Sequence, residues 1–280
     1  MSNRYAVLGS PIGHSKSPSI HLAAYRVLGL DWEYGRADVP KGSLRKFIHD
    51  LDRPVDGLSV TMPLKEEATK FASVLDESAR LTGATNTLAK QEDGTWLGFN
   101  TDVFGIVKAV EDSLTSAPKK TVIIGSGATA YSAVVAVARM APNSRLKISA
   151  RNRKTRKELM HFARQQGLKA SRVYSFVNAV GHAELTISTV PAHALDEQAL
   201  RLMEVSTWTP GGVLLDVAYD PWPSKAAELW VKREKPVVSG IEMLIWQAVA
   251  QIRIFRSGSP ANELPNEVAV VAAMRHAVGL

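Results

Sequence analysis

The string Gly125-Ser-Gly-Ala-Thr-Ala130 follows a short apolar run, Thr121–Ile124, and opens an alanine-rich stretch that reaches Met140. Few folds accept a strand, a glycine turn and a helix in that order. The first glycine permits a tight turn, and the second lets a pyrophosphate approach the backbone. The small residue at the third position keeps the helix close to the sheet. Free N–H groups at the helix start attract phosphate. Gly125, Ser126, Gly127, Ala128 and Thr129 are therefore candidate cofactor-binding residues. The same glycines could serve packing alone, but the flanking strand and helix favour a dinucleotide.

The end of the next strand, Arg145–Ser149, speaks to which dinucleotide. An acidic residue there suits the ribose 2′-hydroxyl of NAD, whereas arginine accommodates the 2′-phosphate of NADP. Five of the seven residues from Arg151 to Lys157 are basic, and no acid appears before Glu158. Cations at a helix start oppose its dipole, so an anionic partner is expected there. Arg151, Arg153 and Lys154 point to NADP.

The 280-residue chain is long enough for two domains, and its 45% hydrophobic and 22% charged content fits a globular protein. Its 34 basic and 27 acidic residues leave a net charge of +7, scattered rather than clustered, which suits small anionic ligands more than nucleic acid. With no cysteine, disulfides, thiolate metal sites and cysteine nucleophiles are excluded. The seven histidines show no paired ligand spacing, and no Gly-x-Ser-x-Gly elbow occurs, so neither a metal site nor that type of hydrolase is expected. No basic-then-apolar leader precedes the first strand, and no apolar run approaches the ~18 residues of a membrane span. A cytoplasmic protein that engages neither membrane nor nucleic acid is expected, as monomer or homodimer.

Upstream, strand-like and helix-like segments alternate: Tyr5–Leu8, Pro18–Leu28, Trp32–Ala37, Gly42–Leu51, Val55–Val60 and Lys65–Leu75. That rhythm predicts βα units around a mostly parallel sheet. Thr85–Ala89 and Thr95–Phe99 flank Asp93-Gly94 as a hairpin, and a helix is expected over Val103–Leu114. The polar stretch Thr115–Lys120 suggests a nearby domain boundary. Beyond the glycine turn, strands are expected at Arg172–Tyr174, Leu185–Thr189 and Val213–Val217, with helices over Gly240–Arg256 and much of Glu267–Val278.

The segment Gly9-Ser-Pro-Ile-Gly-His-Ser-Lys-Ser-Pro18 places Ser15, Lys16 and Ser17 between the first strand and the first helix. Ser17-Pro18 reads as an N-cap followed by proline at the first helical position. The hydroxyls also suit a polyhydroxylated or anionic small molecule. Lys65 and Asp102 each lie just past a strand, where parallel sheets hold ligands. A lysine there can protonate a carbonyl oxygen, and a carboxylate can orient it. Position alone also allows a surface lysine and an aspartate that merely caps the Val103 helix.

These strings, with Val60–Lys65, Gly83–Thr87, Asn100–Asp102, Ser188–Pro191 and Gly240–Gln247, resemble the shikimate dehydrogenase family, in its actinobacterial form, along essentially the whole chain. The resemblance implies NADPH-dependent, reversible reduction of 3-dehydroshikimate to shikimate. It implies Lys65 as acid/base, with Asp102 as its partner and a substrate ligand. Ser15 and Ser17 would take the substrate carboxylate, and Thr61, Asn86 and Gln247 the ring hydroxyls, with Tyr219 a further substrate contact. Asn152, Arg153 and Lys154 would occupy the adenosine-phosphate position, and Thr189, Val217 and Gly240 would lie near the cofactor. The implied fold is α/β in two domains. Residues 1–103 and 240–280 would form a substrate domain with a mostly parallel sheet completed by C-terminal helices, and residues 104–239 a Rossmann domain. Ser59 stands where many members carry asparagine, Ala128 where a third glycine is common, and Lys154-Thr155 alters the usual Asn-Arg-Thr order. An NAD-preferring quinate/shikimate dehydrogenase would want an acid where Arg151 stands. A methylene-tetrahydrofolate dehydrogenase would not want the serine-rich segment, and a nucleotide-sensing regulator would not need Lys65 and Asp102.

Overall fold

The structure, a computed structural model, describes residues 2–205 and 207–280. The chain divides into two compact units, Met1–Gly105 with Leu244–Leu280, and Ile106–Met243.

In the first unit the apolar periodicities give β1 (Arg4–Gly9), α1 (Ser17–Val27), β2 (Glu33–Asp38), α2 (Leu44–His49), β3 (Gly57–Val60) and α3 (Lys65–Phe71). Two short elements follow, β4 (Val74–Leu75) and α4 (Glu77–Thr82). The hairpin β5 (Thr87–Lys90) and β6 (Trp96–Phe99) then leads into α5 (Asp102–Glu111). Gly94 turns the hairpin at φ +85, the left-handed conformation that Asp-Gly turns favour. The sheet order is β2-β1-β3-β5-β6-β4. Only β5 runs antiparallel to its neighbours.

Two local expectations need correction. The helix expected over Lys65–Leu75 stops at Phe71, because Ala72 turns extended and Val74–Leu75 pair with Leu97–Gly98. Asp76 then caps α4, accepting from the Ala79 N–H at 2.7 Å. Nor is Ser17 an N-cap. Lys16 already has helical backbone angles and occupies the cap position, and Ser17 is the first helical residue. Its N–H donates to the Ser15 hydroxyl at 3.3 Å, so the capping role falls two residues earlier.

In the second unit the elements are β7 (Lys120–Ile124), α6 (Ala128–Met140), β8 (Arg145–Ser149), α7 (Arg153–Gln165), β9 (Lys169–Arg172) and α8 (Phe176–Gly181). They continue through β10 (Leu185–Ser188), α9 (Asp196–Met203), β11 (Val213–Asp216), α10 (Lys225–Lys232) and β12 (Val237–Ser239). All six strands are parallel, in the order β12-β11-β10-β7-β8-β9. This is the doubly wound order 3-2-1-4-5-6, whose chain reverses direction across the sheet beside its first strand. The strand expected at Arg172–Tyr174 instead ends at Arg172, because register with β8 begins at Arg145↔Lys169. Val122, Ile124, Val180, Leu214, Leu229 and Trp230 belong to one buried apolar cluster of this unit.

The chain ends in α11 (Gly240–Ser257) and α12 (Glu267–His276). In the first unit Phe255 stacks on Tyr5 with centroids 4.4 Å apart. A Cβ on Gly57 would come within 2.5 Å of the Phe255 ring, so only glycine lets α11 lie this close to β3. Arg253, buried, holds Glu267 through both guanidinium edges, Nε reaching Oε2 at 2.8 Å, and so ties α11 to α12. No helix among the described residues is long and apolar enough to cross a membrane.

Candidate active site

The single antiparallel strand explains how the first unit gathers its polar residues. β1, β3 and β6 end at the same sheet edge at which β5 begins. Residues just past the first three, and just before the fourth, therefore converge. Asn86 sits between strands, its C=O accepting from Val60 N at 2.7 Å and its N–H donating to Phe99 O at 3.0 Å. Ser10 N–H donates to Met62 O at 3.0 Å, which ties the serine-rich segment to the Thr61–Lys65 turn. A Cβ on Gly9 would meet Thr61 Cγ2 at 2.5 Å, so that approach also requires glycine.

Lys65 opens α3 and Asp102 opens α5. Lys65 Nζ donates to Asp102 Oδ2 at 2.5 Å, with the two side chains 14% and 7% exposed. Such a pair is costly to shield from water unless the other carboxylate oxygen is also hydrogen-bonded. Asn86 Nδ2 donates to Asp102 Oδ1 at 2.8 Å, and the Asp102 N–H donates to Asn100 Oδ1 at 3.0 Å. One ammonium hydrogen is thus engaged, and the other two have no protein acceptor among the described residues. Asp102 is more than a helix cap: both carboxylate oxygens are committed to side chains far away in sequence.

The Asn86 amide is itself fixed. Its Oδ1 accepts from Thr101 N at 2.9 Å and from Thr87 Oγ1 at 2.8 Å, while Nδ2 also reaches Thr101 Oγ1 at 3.0 Å and Gln247 Oε1 at 3.5 Å. The structure therefore joins Lys65, Asn86, Asp102 and Gln247. Thr61 is half-buried and closes the turn before Lys65, its C=O accepting from Leu64 N at 2.9 Å. Ser17 is buried and Ser15 half-buried where α1 begins.

A second set of residues stands behind this one and went unread in the sequence. Gln251, one turn after Gln247, donates through Nε2 to Asn86 O at 3.2 Å and Thr87 Oγ1 at 3.0 Å. Its Oε1 accepts from Ser59 Oγ at 2.8 Å, and Ser59 accepts from Tyr34 OH at 2.6 Å. His21 Nε2 lies 3.1 Å from the same Oε1. A carbonyl oxygen can only accept, so Nε2 carries the proton and Nδ1 faces the Tyr25 hydroxyl at 3.3 Å. The departure at Ser59 is thus accounted for, since its hydroxyl both accepts from Tyr34 and donates to Gln251. The one available signal was spacing: Gln247 and Gln251 share a helix face, as do Ser17 and His21.

Burial lowers the His21 pKa from 6.5 to about 3, against the hydrogen bond to Gln251, which raises it. The native imidazole is neutral, while the unfolded chain takes up a proton below about pH 6.5. Stability from this group is therefore complete above about pH 6.5 and is lost as pH falls towards 3, by up to about 1.4 kcal/mol per pH unit for one proton. Denaturation curves collected between about pH 6.5 and 5 should show this slope in the wild type and a shallower one in His21→Gln. Equal slopes would assign the acid sensitivity to other groups.

In the second unit Gly125 has φ +116, and a Cβ there would strike Thr189 Oγ1 at 2.3 Å, so only glycine fits. A Cβ on Gly127 would meet nothing within 4 Å, so the backbone there faces open space. Gly127 is the N-cap of α6, so no cap side chain claims the helix's first N–H groups among the described residues. Ser126 Oγ lies 2.8 Å from Thr155 Oγ1, which holds the turn against the start of α7. Asn152 uses its side chain to cap α7, accepting from Lys154 N at 2.9 Å and Thr155 N at 3.2 Å. Arg156 donates to Ala150 O at 2.8 Å. Arg151, Arg153 and Lys154 are exposed and make no ion pair among the described residues. A helix start without a side-chain cap, with open space at its glycine and three cations one strand away that make no ion pair among the described residues, fits a phosphorylated dinucleotide.

Thr189 lies past β10 and donates through Oγ1 to Ile124 O at 2.9 Å. Val217 follows β11, its N–H bonding Ser188 O at 3.0 Å. Gly240 follows β12 with no room for a side chain, since a Cβ would come 2.1 Å from Val217 O. Tyr219 is half-buried, and burial raises its pKa, with the Asp220 charge adding to the effect. Its loop is fastened by Asp216, which accepts from Ser224 Oγ at 2.6 Å and which burial pushes above the usual carboxylate range.

A doubly wound unit with a dinucleotide turn, in one chain with a shielded lysine–carboxylate pair at a sheet edge, defines the class of nicotinamide-dependent oxidoreductases. Residues 7–88 match the shikimate dehydrogenase substrate binding domain. The chain is 31% identical over 261 residues to the NADP(+) shikimate dehydrogenase of Methanothermobacter thermautotrophicus, covering 91% of each protein. Among solved structures, shikimate dehydrogenase from Mycobacterium tuberculosis superposes with a TM-score of 0.84 at 35% identity, covering 98% of this chain and 99% of that one. Shikimate 5-dehydrogenase from Thermus thermophilus, solved in complex with NADP(H) and shikimate, gives 0.79 at 25% identity, with coverage of 98% and 99%. The chain belongs to the shikimate dehydrogenase family.

Proposed function

We propose that the protein catalyses the reversible, NADPH-dependent reduction of 3-dehydroshikimate to shikimate, a step of aromatic amino-acid biosynthesis. The observation that carries this reading is the Lys65–Asp102 pair, enclosed and hydrogen-bonded, with two ammonium hydrogens left for a substrate oxygen. NADPH supplies the hydride when bound. In that direction Lys65 donates a proton to the C3 oxygen as negative charge develops there, and in the oxidative direction its neutral amine takes the alcohol proton back. Asp102 holds Lys65 in place and accepts from the neighbouring substrate hydroxyl. Asn86 fixes the carboxylate, and with Thr61 and Gln247 it takes ring hydroxyls. The Ser15 and Ser17 hydroxyls take the substrate carboxylate, with Tyr219 a further contact.

Gly125–Thr129 hold the pyrophosphate, and Thr189, Val217 and Gly240 shape the neighbouring backbone. Arg151, Arg153 and Lys154 answer the 2′-phosphate, whereas Asn152 contributes by capping the helix that carries Arg153 and Lys154. The reading extends to a cytoplasmic enzyme acting as monomer or homodimer; its cysteine-free composition is compatible with the cytosol.

Initial rates with shikimate or quinate, each with NADP+ or NAD+, test the assignment. Shikimate with NADP+ should give the highest kcat/KM, and a preference for quinate with NAD+ would replace it by the quinate reading. Neutralising Arg151, Arg153 and Lys154 together should raise the KM for NADP+ by about one to two orders of magnitude more than that for NAD+. The difference should shrink in high salt, because exposed charge pairs are screened. Equal losses for both cofactors would make the basic run a solvated helix start.

A further inference from the structure

Tyr174 stands two residues beyond the end of β9 and is 83% exposed, far more than a tyrosine placed for packing. The Arg172 guanidinium lies over its ring, 4.1 Å from the centroid, and has no carboxylate partner among the described residues. The arginine lies over one face of the ring, and the residue remains largely open to solvent. The same ring is placed by sheet register. Ile148 pairs with Arg172, and Val173 N–H donates to Ile148 O at 3.1 Å. Tyr174 therefore follows the last contact of β9 with β8, just as the Arg151–Lys154 run follows β8. Neighbouring strands lie ~4.8 Å apart, and β8 alone separates β9 from β7. Tyr174 thus stands at the same carboxyl end of the parallel sheet as the glycine turn.

An aromatic face next to unpaired cations is a favourable surface for a base linked to phosphates, because stacking and charge act on adjacent parts of one ligand. We propose that Tyr174, backed by Arg172, is the platform on which the adenine ring of the dinucleotide stacks. The proposal rests on the cofactor reading above and separates two parts of that site. Arg151, Arg153 and Lys154 act on the 2′-phosphate, which only NADP carries, whereas Tyr174 acts on adenine, which both dinucleotides carry.

Calorimetric titration of NADP+ and NAD+ into wild type, Tyr174→Ala and Tyr174→Phe distinguishes these contributions. Tyr174→Ala should raise both dissociation constants by a common factor of about 5 to 150, the range of one base–aromatic stack. Tyr174→Phe, which keeps the ring, should bind both cofactors as the wild type does, and shikimate affinity should be the same in all three proteins. Unchanged binding in Tyr174→Ala, a loss confined to NADP+, or a loss in Tyr174→Phe equal to that in Tyr174→Ala would overturn the platform. Wild-type protein that binds neither dinucleotide would overturn the cofactor reading itself, and the platform with it.

Discussion

Lys65→Ala should lower kcat by about 10²- to 10⁴-fold, the usual worth of a positioned acid/base, while the dissociation constant for NADP(H) stays nearly unchanged. The separation follows from where the residue lies. Lys65 belongs to the first unit, whereas the glycine turn and the basic run both belong to the second. Its removal takes away the proton donor and leaves the Asp102 carboxylate without its cation. Steady-state kinetics with shikimate, paired with direct cofactor titration, read the two effects independently. Near-normal turnover, or parallel loss of cofactor binding, would refute the role. Adding small primary amines to the assay should restore part of the rate, because they return an ammonium to the vacated space.

Asp102→Asn is expected to weaken shikimate binding and slow the reaction together. The carboxylate takes the Lys65 ammonium on Oδ2 and Asn86 Nδ2 on Oδ1. An amide at this position would turn an NH₂ towards one of two donors. The loss of a charge-assisted hydrogen bond costs about 1.5–3 kcal/mol, or roughly one to two orders of magnitude in kcat/KM. Some loss of thermal stability should accompany it, since a largely shielded ammonium is left without its partner. A variant that melts earlier but keeps wild-type kinetic constants would reduce Asp102 to a structural role.

Much of the molecule is local chemistry and could be read along the chain. The glycine turn of Gly125–Thr129, the alternation of strand and helix and the Asp93-Gly94 hairpin each follow from constraints that act within a few residues. The polar residues of the first unit could be read for a related reason: the ends of parallel strands are where side chains escape the core, and Lys65 and Asp102 stand just beyond such ends. Short elements were less legible. β4 has two residues and forms because Val74–Leu75 find the free edge of β6, while β12 appears because Val237–Ser239 find β11. Neither segment is long enough to carry a period of its own.

By itself, then, the sequence determined the two α/β units, the dinucleotide turn and the basic run suited to a phosphorylated cofactor, because each is written in residue types at short spacing, whereas Lys65 and Asp102 stood out as a pair only through the family resemblance. Only the tertiary structure decided how Asp102 is held. Asn86 is delivered by the one antiparallel strand, and Gln251 supports it from α11. Ser59, Tyr34 and His21 fix Gln251 from elements far away in sequence, as in the Ser59–Gln251 separation of 192 and the His21–Gln251 separation of 230. Hydrogen bonds are directional and satisfied pairwise, so a buried serine, histidine or glutamine reveals its purpose only once its partner has been brought beside it.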